Sequence, residues 1–385
     1  MAVPLIEISG DARTRGRQHG EAARDRIRRS IAYYREAFTR TAKLRWDQVV
    51  ELSPRWVPIV EAYHPGIAEE VRGIAEGAAV TFEEILALNG RGELSSGDPF
   101  QGSGDPFRDG EYEDCSSFAV LPPASGDGHV WCGQNWDWRT ETGETVIVLR
   151  IVQPGRPTIV MQTEAGQVGR HGVNSAGIAL NANGLGVRFG TGLGVPQPFI
   201  RRRILDSFDM QSALTAVFDS TQSICTNLLI THRDGFAIDI ETTPARHGWM
   251  YPTDGLLVHT NHFVAFVPEQ IAATYRPFSV NSLWRLDRLT QGLRKVRVAR
   301  TPEGTRAAIR TALQDHFGHP DSLCKHPNPL SAGTDRNETI TSSIVDLTAG
   351  EYRLAAGHPC ESPHELLPWN VYEHERAEAP DLLRA

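Results

Sequence analysis

Two apolar rhythms divide this chain near Cys115, and the division restricts what it can fold into. Before that point the spacing is helical. Ile27, Ile31, Tyr34 and Phe38 fall on one face of a helix. Thr81-Phe82-Glu83-Glu84 reads as a capping box, in which hydroxyl and carboxylate each satisfy the other residue's amide. The helix it opens would bury Ile85, Leu86 and Leu88, so residues 1–90 read as helical throughout. After Cys115 come short runs rich in β-branched and aromatic residues, broken by Pro and Gly turns. They are Cys115–Leu121, Val130–Trp138, Thr145–Gln153 and Thr158–Thr163. A helix is predicted over Arg201–Asp219, then a hairpin of Thr226–Thr231 and Phe236–Glu241 around Arg233-Asp234-Gly235. Helical spacing returns at Leu283–Leu293 and Thr305–Phe317, and a last hairpin joins Thr339–Leu347 to Tyr352–Ala356. Strand runs alternating with helix runs predict an α+β fold with sheets packed between helical layers.

Between the two regimes lies a turn-rich tract, residues 95–113, in which Gly97-Asp98-Pro99-Phe100 is repeated as Gly104-Asp105-Pro106-Phe107. It reads as an exposed loop that ends just before Cys115. A cysteine that opens a strand directly after such a loop is placed for self-cleavage. Its thiol can attack the carbonyl of Asp114, and hydrolysis of the resulting thioester frees a new N-terminal cysteine. That residue would carry both nucleophile and base, because a free α-amino group with a pKa of about 7.7–8 accepts the thiol proton near neutral pH. A small buried cysteine at a strand start is the other reading.

Asp114-Cys115-Ser116-Ser117-Phe118-Ala119 with Gly133-Gln134-Asn135-Trp136-Asp137-Trp138 resembles the signature of the isopenicillin-N acyltransferase family of N-terminal-nucleophile cysteine amidases and acyltransferases. Gly16-Arg17-Gln18-His19-Gly20, Gly73-Ile74-Ala75-Glu76-Gly77, Val258-His259-Thr260-Asn261-His262 and Asp335-Arg336-Asn337-Glu338-Thr339 extend the likeness in the same order, over roughly residues 8 to 360. The resemblance implies a four-layer αββα sandwich. It implies Cys115 as nucleophile, Asp137 beside the new amino terminus, Asn261 as oxyanion donor, Arg336 as active-site arginine and Ser117 as a supporting hydroxyl. It also implies a small chain 1–114 and a large chain 115–385 that stay associated after the cut at Asp114/Cys115. The expected substrate is a small-molecule N-acyl amide, with an acyl-CoA or an amine as acyl partner, and no cofactor is called for. In the best-known family member glycine precedes the cysteine. Asp114 stands there in this chain, and its charge is expected to raise the thiol pKa or to relay a proton.

Two other readings compete. Cys115 could serve as an internal nucleophile with a histidine base and no cleavage, or the fold could be a non-catalytic binding scaffold.

Composition narrows the partners. Against 47 acidic side chains stand 39 basic ones, a net charge of −8, which disfavours nucleic acid. The cluster Arg201-Arg202-Arg203 reads as a solvated helix face. Apolar runs such as Val146–Leu149 are far below the ~20 residues of a membrane span. Five scattered cysteines (115, 132, 225, 324 and 360) without a CxxC pair argue against a disulfide framework and for a reducing, cytoplasmic setting. His259 and His262 would point to opposite faces of a strand, so no metal site is expected there. The glycines from 184 to 194 lack GxGxxG spacing and read as a permissive loop beside the pocket.

Overall fold

The computed structural model describes residues 3–95, 114–189, 193–331 and 336–373. Apart from Ser95, the duplicated Gly-Asp-Pro-Phe tract therefore lies outside the described residues. Two sheets form from the strands. The first runs in the order Leu5–Ser9, Val146–Val152, Ile159–Glu164, His171–Asn174, Ile178–Gly184, Thr226–His232, Phe236–Thr242, Gly248–Met250. The second runs Leu256–His259, Asp114–Val120, Trp131–Arg139, Asn337–Asp346, Glu351–Ala356, Glu365–Leu366.

Alternation along the strands explains the layering, because successive side chains leave a strand on opposite faces. Ile147, Leu149 and Ile151 face the N-terminal helices and pack with Ile27, Phe38, Val71 and Ile74. Val148, one residue out of phase, meets Val160, Leu229, Ala119 and Val345 between the two sheets. On the far side of the second sheet, Phe118, Val120 and Ile344 pack on Leu289, Leu293 and Ile309 from the helices Asn281–Leu293 and Pro302–Leu313. Helix, sheet, sheet, helix is the αββα order.

Two of the quoted glycine motifs turn out to be one packing device. The helices Ala12–Ala22 and Ile67–Ala78 cross at Gly16, Gly20, Gly73 and Gly77. A Cβ on Gly16 would lie 2.0 Å from Glu70 O, and one on Gly73 would lie 2.2 Å from Arg13 O. Only hydrogen fits at this crossing.

Several expectations are corrected. Residues 1–90 are not all helical. Leu5–Ser9 is a strand, parallel to Val146–Val152 with Leu5 opposite Val148; five residues are too few to show a period. The helix predicted over Arg201–Asp219 is two, Gln197–Leu205 and Met210–Phe218, the second capped by Asp209 accepting from Ser212 N at 2.8 Å. The arginine cluster is not a solvated face either. Arg201 and Arg202 are buried, and Arg202 pairs with Glu70 at 2.7 Å and with Asp206 at 3.1 Å. The helix expected to reach Phe317 stops at Leu313, where the Asp315 carboxylate accepts from Phe317 N and turns the chain. The five cysteines are free thiols, and folding brings the sulfurs of Cys324 and Cys360, distant in sequence, to 3.3 Å.

Candidate active site

Cys115 is the second residue of the strand Asp114–Val120 and is wholly buried. It sits opposite Trp136, and its neighbours on the inner face are Trp136, Trp138, Val146 and Ile340. Asp114, out of phase with it, sits opposite Asp137. Asp114 accepts from Lys325 Nζ at 2.5 Å and from Arg285 at 3.4 Å. Burial works to raise the Asp114 carboxyl, but Lys325 and Arg285 outweigh it and hold it below the usual carboxylate range. The charge expected to act on the thiol is thus compensated by two cations.

The backbone nitrogen of Cys115 donates to Asn261 Oδ1 at 2.8 Å. Asn261 follows the strand Leu256–His259, and its own nitrogen donates to Ser282 Oγ at 2.7 Å. Its Nδ2 donates to Gly184 O at 3.0 Å. Arg285 closes the group. Its guanidinium donates to Cys115 O, to Asn261 Oδ1 (both 2.8 Å) and to Ser116 Oγ at 2.9 Å, and Asn281 Oδ1 holds its Nε at 2.8 Å.

Asp137 is fully buried. Thr339 donates to its Oδ1 at 2.6 Å, whereas Oδ2 meets no hydrogen-bond partner among the described residues. Burial pushes the carboxyl up to about 7, against the pull of Arg285 and Lys325. Ser117 lies on the inner face, where its hydroxyl accepts from Asn183 Nδ2 at 2.8 Å. From Asn183 a buried polar chain continues through Asn227 to Asp239. His259 lies 3.9 Å from Asp239 and 2.9 Å from Glu241. Burial acts to lower its pKa, but the two carboxylates win and raise it to about 9, so this imidazole is charged at neutral pH. His262 turns to Ser282 Oγ at 2.7 Å instead, so the two histidines do not converge on one point.

Cys115, Asp114, Asp137, Asn261 and Ser117 therefore gather around one strand end. Arg336 does not join them. It is exposed, and its Nε faces Ser331 O at 3.4 Å. The guanidinium at Cys115 belongs to Arg285, and the ammonium at Asp114 to Lys325. Arg285 had a legible signal: Asn281, Arg285, Leu289 and Leu293 repeat every four residues, which sets two polar groups on a buried helical stripe. Lys325, in a loop, had none.

Next to this group is a cavity lined by Arg91, Arg170, Gly184, Arg201, Ile224 and Cys225, among others. It adjoins the cysteine through Arg170, whose guanidinium carbon stands 4.0 Å above the Trp136 ring, and through Gly184, the acceptor for Asn261. Gly184, the last residue of the strand Ile178–Gly184, and Gly186 line it; Gly194 does not, and Gly190 and Gly192 lie outside the described residues.

The profile of the family described as acyl-coenzyme A:6-aminopenicillanic acid acyl-transferase matches residues 124–361, which include Asp137, Asn261, Arg285 and Lys325. The 40 kDa form of acyl-coenzyme A:6-aminopenicillanic-acid-acyltransferase from Emericella nidulans is 28% identical over 346 residues, covering 89% of this chain and 90% of that protein. Among solved structures, penicillin V acylase from Agrobacterium tumefaciens aligns over 63% of this chain and 83% of its own, at 14% identity and a TM-score of 0.40. A variant of conjugated bile acid hydrolase from Clostridium perfringens aligns over 63% and 89%, at 11% identity and a TM-score of 0.43.

Proposed function

The chain belongs to the acyl-coenzyme A:6-aminopenicillanic acid acyltransferase family, and on that basis we propose a self-processing thiol acyltransferase or amidohydrolase that works through Cys115. One observation carries this reading. The nitrogen of the Asp114–Cys115 peptide bond is held by Asn261 Oδ1, and Asp137, opposite Asp114 in the sheet, has a buried oxygen that meets no hydrogen-bond partner among the described residues.

Maturation runs in two steps. The Cys115 sulfur attacks the Asp114 carbonyl carbon, the C–N bond breaks as the C–S bond forms, and the thiol proton passes to the departing nitrogen. Water then splits the thioester, which leaves a carboxylate on Asp114 and returns the thiol. Asn261 Oδ1 can accept from the nitrogen before the cut, as an amide, and after it, as an amine. Asp137 Oδ2 then acquires a donor, and a carboxyl poised near 7 can take or give up a proton there at neutral pH.

In turnover the new α-amine takes the thiol proton, and the sulfur attacks the carbonyl of an N-acyl substrate. The tetrahedral oxyanion is met by Asn261 Nδ2, which leaves Gly184 O for it, and the leaving amine carries the proton away. Water or an acceptor amine resolves the Cys115 thioester. An acyl-CoA can load the same sulfur, with the CoA thiol as leaving group. The cavity beside Trp136 supplies room for the acyl group. A charged His259 locked to Glu241 is a poor base, which argues against the uncut cysteine–histidine scheme. Cys115, Asp137 and Asn261 gathered at one strand end argue against a decayed scaffold.

Both pieces are expected to stay together, because Ile27 and Ile74 from the first share a core with Ile147 and Leu180 from the second. The test is intact mass. Fragments 1–114 and 115–385 are expected for the purified protein, and a single uncut chain for Cys115→Ala. An active protein that remains one unbroken chain would overturn the reading.

A further inference from the structure

Four soft and borderline ligand side chains converge beside the site described above, and none of them takes part in it. Cys324, His326, His316 and Cys360 bring their sulfur and nitrogen atoms within 4.8 Å of one another. Cys324 Sγ stands 3.3 Å from Cys360 Sγ and 3.6 Å from His326 Nε2. His326 Nε2 is 3.4 Å from Cys360 Sγ and 3.1 Å from His316 Nε2. A tetrahedron with metal–sulfur bonds of about 2.3 Å and metal–nitrogen bonds of about 2.0–2.1 Å has edges of roughly 3.3–3.8 Å. Four of the six edges match that figure to within a few tenths of an ångström, and the two from His316 to the sulfurs lie within 4.8 Å.

We propose that Cys324, Cys360, His316 and His326 bind one zinc ion in a closed tetrahedral site. A two-sulfur, two-nitrogen donor set selects zinc over the hard cations, and four protein ligands leave no open position, which marks a structural ion rather than a catalytic one. Binding releases one proton from each thiol, so two thiolates balance the dication.

The backbone already sets the ligands in place. Cys324 N donates to Asp315 O at 3.1 Å and His326 N to Pro320 O at 3.0 Å, which folds residues 315–326 into a fixed loop. Cys360 comes from the turn after the strand Glu351–Ala356, and Gln314 Nε2 ties the two segments by donating to Pro359 O at 2.7 Å. Graded exposure gives the ion a way in: Cys324 is buried, Cys360 and His326 are half-buried, and His316 is exposed. The neighbouring His358 is engaged elsewhere, with Glu338 at 2.9 Å and Glu361 at 3.2 Å.

Lys325 lies between two of the ligands, and its ammonium holds Asp114. Zinc would therefore brace the loop that carries this cation. The site itself is argued from the four donors alone and stands whether or not the chain cuts itself.

The full-length protein, purified without chelator under reducing conditions, should carry one zinc per chain by plasma mass spectrometry. Replacing zinc by Co2+ should give the intense visible bands and sulfur charge-transfer absorption of a tetrahedral thiolate site. Cys324→Ser and Cys360→Ser should each lose the charge-transfer intensity of one thiolate. His316→Ala, at an exposed position where misfolding is not expected, should weaken zinc in chelator competition by on the order of tenfold or more. Reduced, folded protein that holds no zinc and gives no cobalt spectrum would overturn the proposal. So would a Cys324–Cys360 disulfide in metal-free protein from a reducing host, or His316→Ala with unchanged zinc affinity.

Discussion

Asn261 Oδ1 lies 2.8 Å from the backbone nitrogen of Cys115, so the side chain read as an oxyanion donor is also the acceptor that holds the Asp114–Cys115 peptide N–H. One amide group serves both ends of the proposed chemistry: its oxygen before and after cleavage, its Nδ2 during turnover.

Asn261→Asp separates those two duties, because it keeps an acceptor for the Cys115 nitrogen but removes the Nδ2 donor. Loss of one preorganised oxyanion donor costs about 10²–10³ in kcat in acyl-transfer enzymes. Material shown by mass to be cut should therefore lose kcat by about that factor, with a smaller change in KM. Unchanged kcat would remove Asn261 from the oxyanion role.

Arg285 and Arg336 should respond in opposite ways. Arg285→Met leaves Asp114 buried with one of its two cations gone, and breaking a buried ion pair costs about 3–5 kcal/mol. Denaturant unfolding of an uncut background (Cys115→Ala) should register that loss. Arg336→Ala, at an exposed position, should change stability by no more than about 0.5 kcal/mol and leave most activity in place. A large activity loss in Arg336→Ala would restore the assignment made from sequence.

Asp137 should leave a signature in pH. Burial raises its carboxyl from the usual 3.8 to about 7, so the native state keeps a proton that the unfolded chain has already lost. Below the lower value the group contributes nothing. Between about 4 and about 7 it subtracts increasingly from stability as pH rises, and above that the penalty is constant. Unfolding of Cys115→Ala across this window should carry that falling component, and Cys115→Ala/Asp137→Asn should lack it. Parallel profiles would mean that the carboxyl is not perturbed in the fold.

Gly73→Ala tests the helix crossing. In an exposed helix interior alanine is favoured over glycine by about 1 kcal/mol. Here the added carbon would lie 2.2 Å from Arg13 O, so the sign reverses and thermal unfolding should move to lower temperature. A stabilised variant would show that the helices do not approach this closely.

Much of the fold was legible because burial on one face writes a period into the sequence. The stripe through Ile27, Ile31, Tyr34 and Phe38 and the strand around Cys115 appear where they were read. Thr81 and Glu84 form their reciprocal cap, at 3.2 and 3.1 Å. What escaped was encoded by partners distant in sequence. The strand Leu5–Ser9 has meaning only beside Val146–Val152. Arg202 reads as surface charge until Glu70 and Asp206 are folded against it. Around the cysteine, motif identity located Asp137 and Asn261, while Arg285 and Lys325 arrive from a helix and a loop that reach Cys115 and Asp114 only in three dimensions.

The parallel pairing of Leu5–Ser9 with Val146–Val152 has a bearing on the protein's life history. A cut after Asp114 would leave that strand and its sheet partner on separate molecules. Folding before the cut is unimolecular, while reassembly afterwards would depend on concentration and on two ends finding each other. Maturation would then spend the chain's capacity for spontaneous renaturation, and a mature enzyme once melted would be lost to the pool rather than repaired.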